Sequence, residues 1–418
     1  MPCGTTAASV RLAKFGVGPS RRRVGCYELL SGSAVALPEP AVGGFFFWAT
    51  RWHYIRAMHE FAVLIGRFQP FHNGHLALLQ HALSEALHCI VVIGSAFHAR
   101  SPRHPFDWQQ RADMIRRALP AADRERVTFM PVRDHHADAP WIAEVKQAVA
   151  NAHKAAATAI RAVSTGSTAA TGSTSTSVLL VGHRKDATTA YLDWFPEWEL
   201  TTLSVASAAT ARAARNALFL ATDDDALRAM VPPPVFDFLA IWRDERTFAA
   251  LHEEWTMLQN YRATWAVAPW PPTLVTVDCV VKCNDHVLLI RRGEAPGKGL
   301  LAVPGGFIEQ RETTHRSALR ELEEETHLDV PDADLQACLK GTAVFDAPDR
   351  SERGRTITHA HYFDLGDRPL PAMRADDDAA SASWTPIAAL VAEETHFMDD
   401  HFAMLHHFLQ FELPAPQA

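Results

Sequence analysis

Two short stretches carry residue types that could do chemistry. In "AVLIGRFQPFHNGHLALLQHAL" (62–83), an apolar run ends at Gly66, and Arg67, His72 and His75 follow just before a helical pattern. Gly66 permits close backbone approach and Pro70 stiffens the turn. A helix N-terminus offers free N–H groups and a positive dipole end, so two imidazoles and a guanidinium at that point suit a polyphosphate. No G-x-x-x-x-G-K-[ST] loop is present, which excludes P-loop phosphate binding. An H-x-x-H pair could arise by chance among 22 histidines. Its place between a buried strand and a helix is what favours a site. In "GGFIEQRETTHRSALRELEEETHL" (305–328), Glu321, Glu324 and Glu325 stand at i, i+3 and i+4 and share one helix face, opposite Ala318, Leu319 and Leu322. Three like charges repel unless a cation binds them, and Mg²⁺ prefers such oxygen ligands. The plain alternative is a solvated glutamate face.

The elements that must position these groups follow two patterns. From Phe61 to about residue 183, continuous apolar strands alternate with amphipathic helices, the mark of an α/β parallel sheet covered on both faces. In such a sheet, ligands bind beyond the carboxyl ends of the strands, where "GRFQPFHNGH" falls. From Thr273 the pattern changes to two strands around an Asn284-Asp285 turn, a Gly/Pro-rich loop, one long helix, and further strands at 341–346 and 356–364. That reads as an α+β unit of antiparallel strands. The expected organisation is one domain over 58–240, a connector over 241–270 and a second domain over 271–412. Residues 1–57 lack a clear period and read as a disordered extension, or as an upstream start with Met58 as the true beginning. The Gly/Ser/Thr/Ala tract 164–177 reads as a flexible loop.

Composition narrows the classes. With 418 residues, 48% hydrophobic and 21% charged, the chain is globular in type and long enough for two cores. A net charge of −8 argues against a nucleic-acid surface, and no run approaches the ~20 apolar residues that span a bilayer. The six cysteines show no metal-knuckle spacing, and Cys279 and Cys283 read as core, which fits a reducing cytoplasm.

The first stretch resembles the H-x-G-H signature of the nucleotidyltransferase superfamily, and "GRFQPFH" is similar to the archaeal-like NMN (nicotinamide mononucleotide) adenylyltransferases. "SPRHPFDWQQRADMI" (101–115), "PVRDHHADAPWIAEV" (131–145) and "VGHRKDATTAYLDWFPEWE" (181–199) agree. The resemblance implies a Rossmann-like nucleotidyltransferase sheet in which Arg67, His72 and His75 meet ATP phosphates, with Gly66 and Phe68 near the nucleotide. It also implies Trp141 near the nicotinamide and Gly182, Lys185 and Asp186 as binding residues. The family's late S/T-x-x-R motif is degraded in "ATARAARNALF" (209–219): Arg215 fits, but its usual Ser/Thr partner falls on Arg212, or on Thr210 after a slip.

The second stretch resembles the Nudix box through Gly306, Glu312, Arg320, Glu321, Glu324 and Glu325, and departs from it at His327, where the box has glycine. A non-Gly residue at a left-handed helix end costs on the order of 1 kcal/mol. The resemblance implies hydrolysis of a nucleoside diphosphate derivative, with Glu321, Glu324 and Glu325 on Mg²⁺ (or Mn²⁺), Glu324 catalytic, and Glu312 and Arg320 orienting loop and helix. Flanking segments look like ADP-ribose pyrophosphatases, with Arg353 and Arg355 as phosphate contacts. The whole reading is a bifunctional enzyme of NAD metabolism, related to nucleotidyltransferase–Nudix fusions, with a divalent cation in both domains. Its expected partners are ATP, NMN and ADP-ribose, with no nucleic acid, no membrane, and homo-oligomerisation left open. Two alternatives are a different phosphate acceptor, and a second domain that senses ADP-ribose without cleaving it.

Overall fold

The computed structural model describes residues 58–163, 177–204, 210–220 and 224–417. The expectations for residues 1–57 and for the tract from 164 fall outside the described residues.

β1 (His59–Gly66), α1 (Asn73–Glu85), β2 (Ala86–Ile93), α2 (Trp108–Ala118), α3 (Ala121–Arg124), β3 (Val127–Pro131), α4 (Asp138–Val163), β4 (Val178–Gly182) and β5 (Glu199–Thr202) build a five-stranded sheet with its surrounding helices. The strand order is β3-β2-β1-β4-β5 and every pairing is parallel. Both faces are covered. Ala62 and Leu64 of β1 point into the cluster with α1 and α2, while Phe61, Val63 and Ile65 point into the one with α4. A strand buried on both faces needs apolar residues at every position, which is why β1 and β2 lack polar alternation. The order of the strands reverses at β1, so the crevice past Gly66 is the topological switch point. Helices α5 (Ala211–Leu220), α6 (Asp224–Met230), α7 (Pro233–Trp242) and α8 (Arg246–Thr264) follow, and their Phe219, Leu239, Trp242 and Leu251 extend the α1–α2 core.

The second sheet comprises β6 (Thr273–Cys283), β7 (His286–Arg292), β8 (Leu301–Ala302), β9 (Gly305–Phe307), β10 (Leu339–Phe345), β11 (Arg355–Asp364) and β12 (Ala379–Pro386). Helices α9 (Thr314–Thr326) and α10 (Asp332–Cys338) cover one face and α11 (His401–Leu409) the other. Cys279 and Cys283 are buried, unpaired thiols in the α9 core. The sheet is mixed rather than antiparallel. β11 runs parallel to β6 over Arg355–Asp364, because α9, α10 and β10 return the chain to the starting end of β6.

The described residues form one compact unit. Arg133, 6% exposed, joins the two sheets' segments: its Nε lies 2.9 Å and 3.0 Å from the two Glu394 oxygens, and it donates to Pro414 O at 3.2 Å. Asn151 of α4 donates to Pro416 O at 3.0 Å, so the last residues lie along the first part. No described helix is long and apolar enough to cross a membrane.

Candidate active sites

The first site is built on the β1–α1 turn. Phe68 has a left-handed backbone (φ 51°) and is buried, its ring 4.9 Å from that of His75 and edge-on to it. A Cβ on Gly66 would sit 2.8 Å from Phe68 Cζ, so only glycine fits above that ring. His72 caps α1: its Nδ1 accepts from Gly74 N at 3.1 Å, while its own N–H donates to His75 Nδ1 at 3.4 Å. This is a capping box made of two imidazoles. With Nδ1 an acceptor in both rings, the proton of each neutral imidazole falls on Nε2. Burial, helped by Lys185 and Arg215, lowers the His72 pKa to about 4, and burial with His72 nearby lowers that of His75. The pair therefore offers neutral N–H donors, not cations, at neutral pH.

The positive charge comes from the arginines and a lysine. Arg215 donates to Gln69 O at 2.6 Å, which ties α5 to the turn. Its pKa falls to about 10 through burial, opposed by Glu352 and assisted by Arg67, Arg103 and Arg212. Thr210 takes up a helix cap, accepting from Ala213 N at 3.1 Å, and Arg212 is exposed, so neither forms the pair with Arg215 that the motif has. Lys185 is exposed, while the Asp186 carboxylate accepts from Thr188 N at 2.9 Å and caps a short helical turn. Gly182 makes room for Leu192, whose Cδ2 would lie 2.6 Å from a Cβ there. Half-buried Trp141 packs against Tyr191, Trp194 and Phe195.

Sequence reasoning missed Arg111 and Asp134. Arg111 is 1% exposed and donates to Arg67 O and Gly94 O at 2.8 Å and to Ser95 O at 3.1 Å, clamping the ends of β1 and β2 together. Asp134 accepts from Ser95 Oγ at 2.6 Å, with His98 Nε2 at 2.9 Å. A cavity of about 480 Å³ opens beside these groups, lined by Arg67, His98 and Trp141 on one side and Asp349, Asp399 and Phe402 on the other. Burial and Asp400 raise the Asp399 pKa to about 6, against the pull of Arg350 and Arg353.

The second site lies where α9 meets β9. Glu312 accepts from Ser317 Oγ at 2.8 Å and from Arg320 Nε at 3.0 Å, which braces the loop against the helix. Arg320 also reaches Glu321 at 2.9 Å, Glu324 at 2.7 Å and Phe307 O at 3.1 Å. Glu325 is 1% exposed and accepts from Gly305 N at 2.8 Å. Burial, then a hydrogen bond that its protonated carboxyl donates to Asp378, pushes its carboxyl up to about 10, and burial also raises Glu321. A Cβ on Gly306 would lie 2.5 Å from Glu321 Oε2, so the second glycine is needed for the carboxylate to approach the strand.

Among the described residues no three such groups converge as a finished metal cage, since Glu324 turns to Arg320 and Glu325 to Gly305. The donor set nevertheless suits a hard divalent cation. It consists of carboxylate oxygens only, and the buried Glu325 and Glu321 ionise unfavourably without added positive charge. His327 ends α9 in the left-handed region (φ 38°, ψ 49°), and its Nε2 lies 2.8 Å from Asp376 Oδ2. Arg353 stacks its guanidinium 5.1 Å above the Phe307 ring, close to the box, whereas Arg355 donates to Asp346 O at the base of the β10–β11 loop.

A parallel α/β sheet with a two-imidazole helix cap at its switch point, followed by a mixed sheet with a glutamate-bearing helix, defines a nucleotidyltransferase joined to a Nudix unit. The Cytidylyltransferase-like family model matches residues 63–183 and the NUDIX domain model residues 272–408. The chain belongs to the family of bifunctional NMN adenylyltransferase/ADP-ribose pyrophosphatases. A Francisella tularensis enzyme of that description, solved with AMP and a manganese ion, is 30% identical and superposes with a TM-score of 0.75 over 84% of this chain and 99% of its own. The nicotinamide/nicotinic acid mononucleotide adenylyltransferase of Acinetobacter baylyi is 30% identical over 205 residues, 49% of this chain and 94% of its own length. An ADP-ribose pyrophosphatase of Methanocaldococcus jannaschii is 37% identical over 110 residues, 26% of this chain and 60% of its own length.

Proposed function

We propose that residues 58–240 transfer AMP from ATP to NMN, giving NAD and pyrophosphate, and that residues 271–412 hydrolyse ADP-ribose to AMP and ribose 5-phosphate. What supports this most is that one relative, described with both activities, is matched over 99% of its length while both constellations of side chains are present here.

Adenylyl transfer needs no nucleophilic side chain. The NMN phosphate attacks the α-phosphorus of ATP in line, and pyrophosphate leaves. The Nε2–H groups of His72 and His75, the N-terminal amides of α1, and the cations Arg67, Lys185 and Arg215 stabilise the charge that develops on the phosphate oxygens. Gly66, Phe68 and Gly182 shape the nucleotide's floor, with Asp186 holding the strand-end turn beside Lys185. Trp141 supplies the aromatic wall for the nicotinamide. The magnesium ion at this site comes with ATP.

In the second part Glu321, Glu324 and Glu325 would hold Mg²⁺ or Mn²⁺, which when bound lowers the pKa of a water and neutralises the diphosphate. Arg320 and Glu312 keep α9 and its loop in register, Gly306 admits the carboxylates, and Arg353 meets a substrate phosphate, with Arg355 fixing the loop that carries it. A reducing cytoplasm suits the free thiols of Cys89, Cys279, Cys283 and Cys338.

The direct test is to incubate the protein with NMN, ATP and Mg²⁺ and to separate the products. NAD and pyrophosphate in equal amounts are expected, and adenylylation of another phosphate acceptor but not of NMN would overturn the first assignment.

A further inference from the structure

The β10–β11 loop belongs in sequence to the second sheet, yet it reaches the first site. Arg103, from the loop after β2, grips it at three points: its N–H donates to Glu352 Oε1 at 2.8 Å, and its guanidinium donates to the carbonyls of Asp349 and, at 3.3 Å, Ser351. Arg262 of α8 adds a bond to Glu352 O at 3.0 Å. From the other side Arg350, buried, pairs with both Asp400 oxygens at 2.7 Å and 3.0 Å and lies 3.8 Å from the Asp278 carboxylate of β6. Anchored from both directions, the loop presents the Asp349 side chain to Arg67 of the first site. Asp349 Oδ2 accepts from Arg67 Nη2 at 3.3 Å. Against the effect of burial, Arg103 and Arg67 hold the Asp349 carboxyl below its ordinary value, so it is an anion at neutral pH.

A carboxylate oxygen and a phosphate oxygen are the same kind of partner for a guanidinium. We propose that Asp349 is an intramolecular competitor for the ATP phosphates at Arg67. It holds Arg67 at the edge of the cavity until the phosphates of ATP displace it. The inference rests on the reading of Arg67 as an ATP-phosphate contact. The competition is intramolecular, and the anchoring of the loop gives Asp349 a high effective concentration at Arg67. The pair is half exposed on both sides, with 50% and 53% of the two side chains accessible, so it is weak enough for ATP to break.

Steady-state NAD synthesis by the full chain tests this. Asp349→Asn and Asp349→Ala are expected to lower KM for ATP by roughly two- to five-fold, the range of an exposed ion pair, with kcat changed by less than about two-fold. Asp349→Glu, which keeps the anion, is expected to restore the original KM. Arg67→Ala is expected to raise KM for ATP and to abolish the effect of Asp349→Asn in the double variant. If Arg67→Ala raises KM but Asp349→Asn does not lower it, or lowers it equally without Arg67, the inference falls and the reading of Arg67 stands. If Arg67→Ala leaves KM for ATP unchanged, both fall.

Discussion

His72 and His75 form a pair in which each Nδ1 accepts from a backbone N–H, and in the proposed reading each Nε2 is kept for the ligand. Imidazole nitrogen-15 signals are expected to report the Nε2-protonated tautomer for both rings, and neither should become charged between pH 8 and pH 6. A neutral, buried His72 contributes stability that is complete above its ordinary pKa of 6.5 and is lost as pH falls from there through about 4. Removal of one donor of this kind costs about 10²–10³ in kcat, so His75→Ala should reduce NAD synthesis by that factor and spare ADP-ribose hydrolysis. His327 shows how far one residue could be read from sequence. The missing box glycine foretold a left-handed residue, and the structure has one, held by Asp376. Asp376 could not be foreseen, because it acts across 49 residues. His327→Gly trades backbone strain against that contact, and chemical denaturation is expected to register less than about 1 kcal/mol in either direction.

The elements were legible where local pattern decides them and obscure where pairing does. β1, α1, β2, α2 and the β6–β7 hairpin follow from apolar runs, helical spacing and an Asn-Asp turn, and so did the placement of both glutamate and histidine motifs. β8 and β9 are two and three residues long, β12 reads "AASASWTP", and no periodicity says that β11 runs parallel to β6. Arg111 and Asp134 escaped notice for the same reason, since their partners come from other strand ends. Gly306→Ala should drive a Cβ into the Glu321 carboxylate, so ADP-ribose hydrolysis is expected to be lost while NAD synthesis continues at its ordinary rate. Parallel loss of both activities would mean that the glycine matters for folding instead.

Across the whole molecule, Arg133 and Glu394 form the buried ion pair that spans the two parts, and burial raises the Glu394 pKa to about 7 against the pull of Arg133. Arg133→Met leaves that carboxyl without its partner and is expected to cost about 3–5 kcal/mol of unfolding free energy at pH 8. An acid with a raised pKa lends stability below its unfolded value, here 4.5, and loses it as pH rises through about 7. The penalty should therefore be smaller at pH 5.5 than at pH 8, which denaturation at the two pH values would show. The central claim is that two separate chemistries reside at two sites of one chain. A single preparation of Glu324→Gln, assayed for NAD from NMN and ATP and for AMP from ADP-ribose, tests it most directly. The account predicts that ADP-ribose cleavage disappears while NAD synthesis is unchanged. Loss of both activities, or of neither, would contradict it.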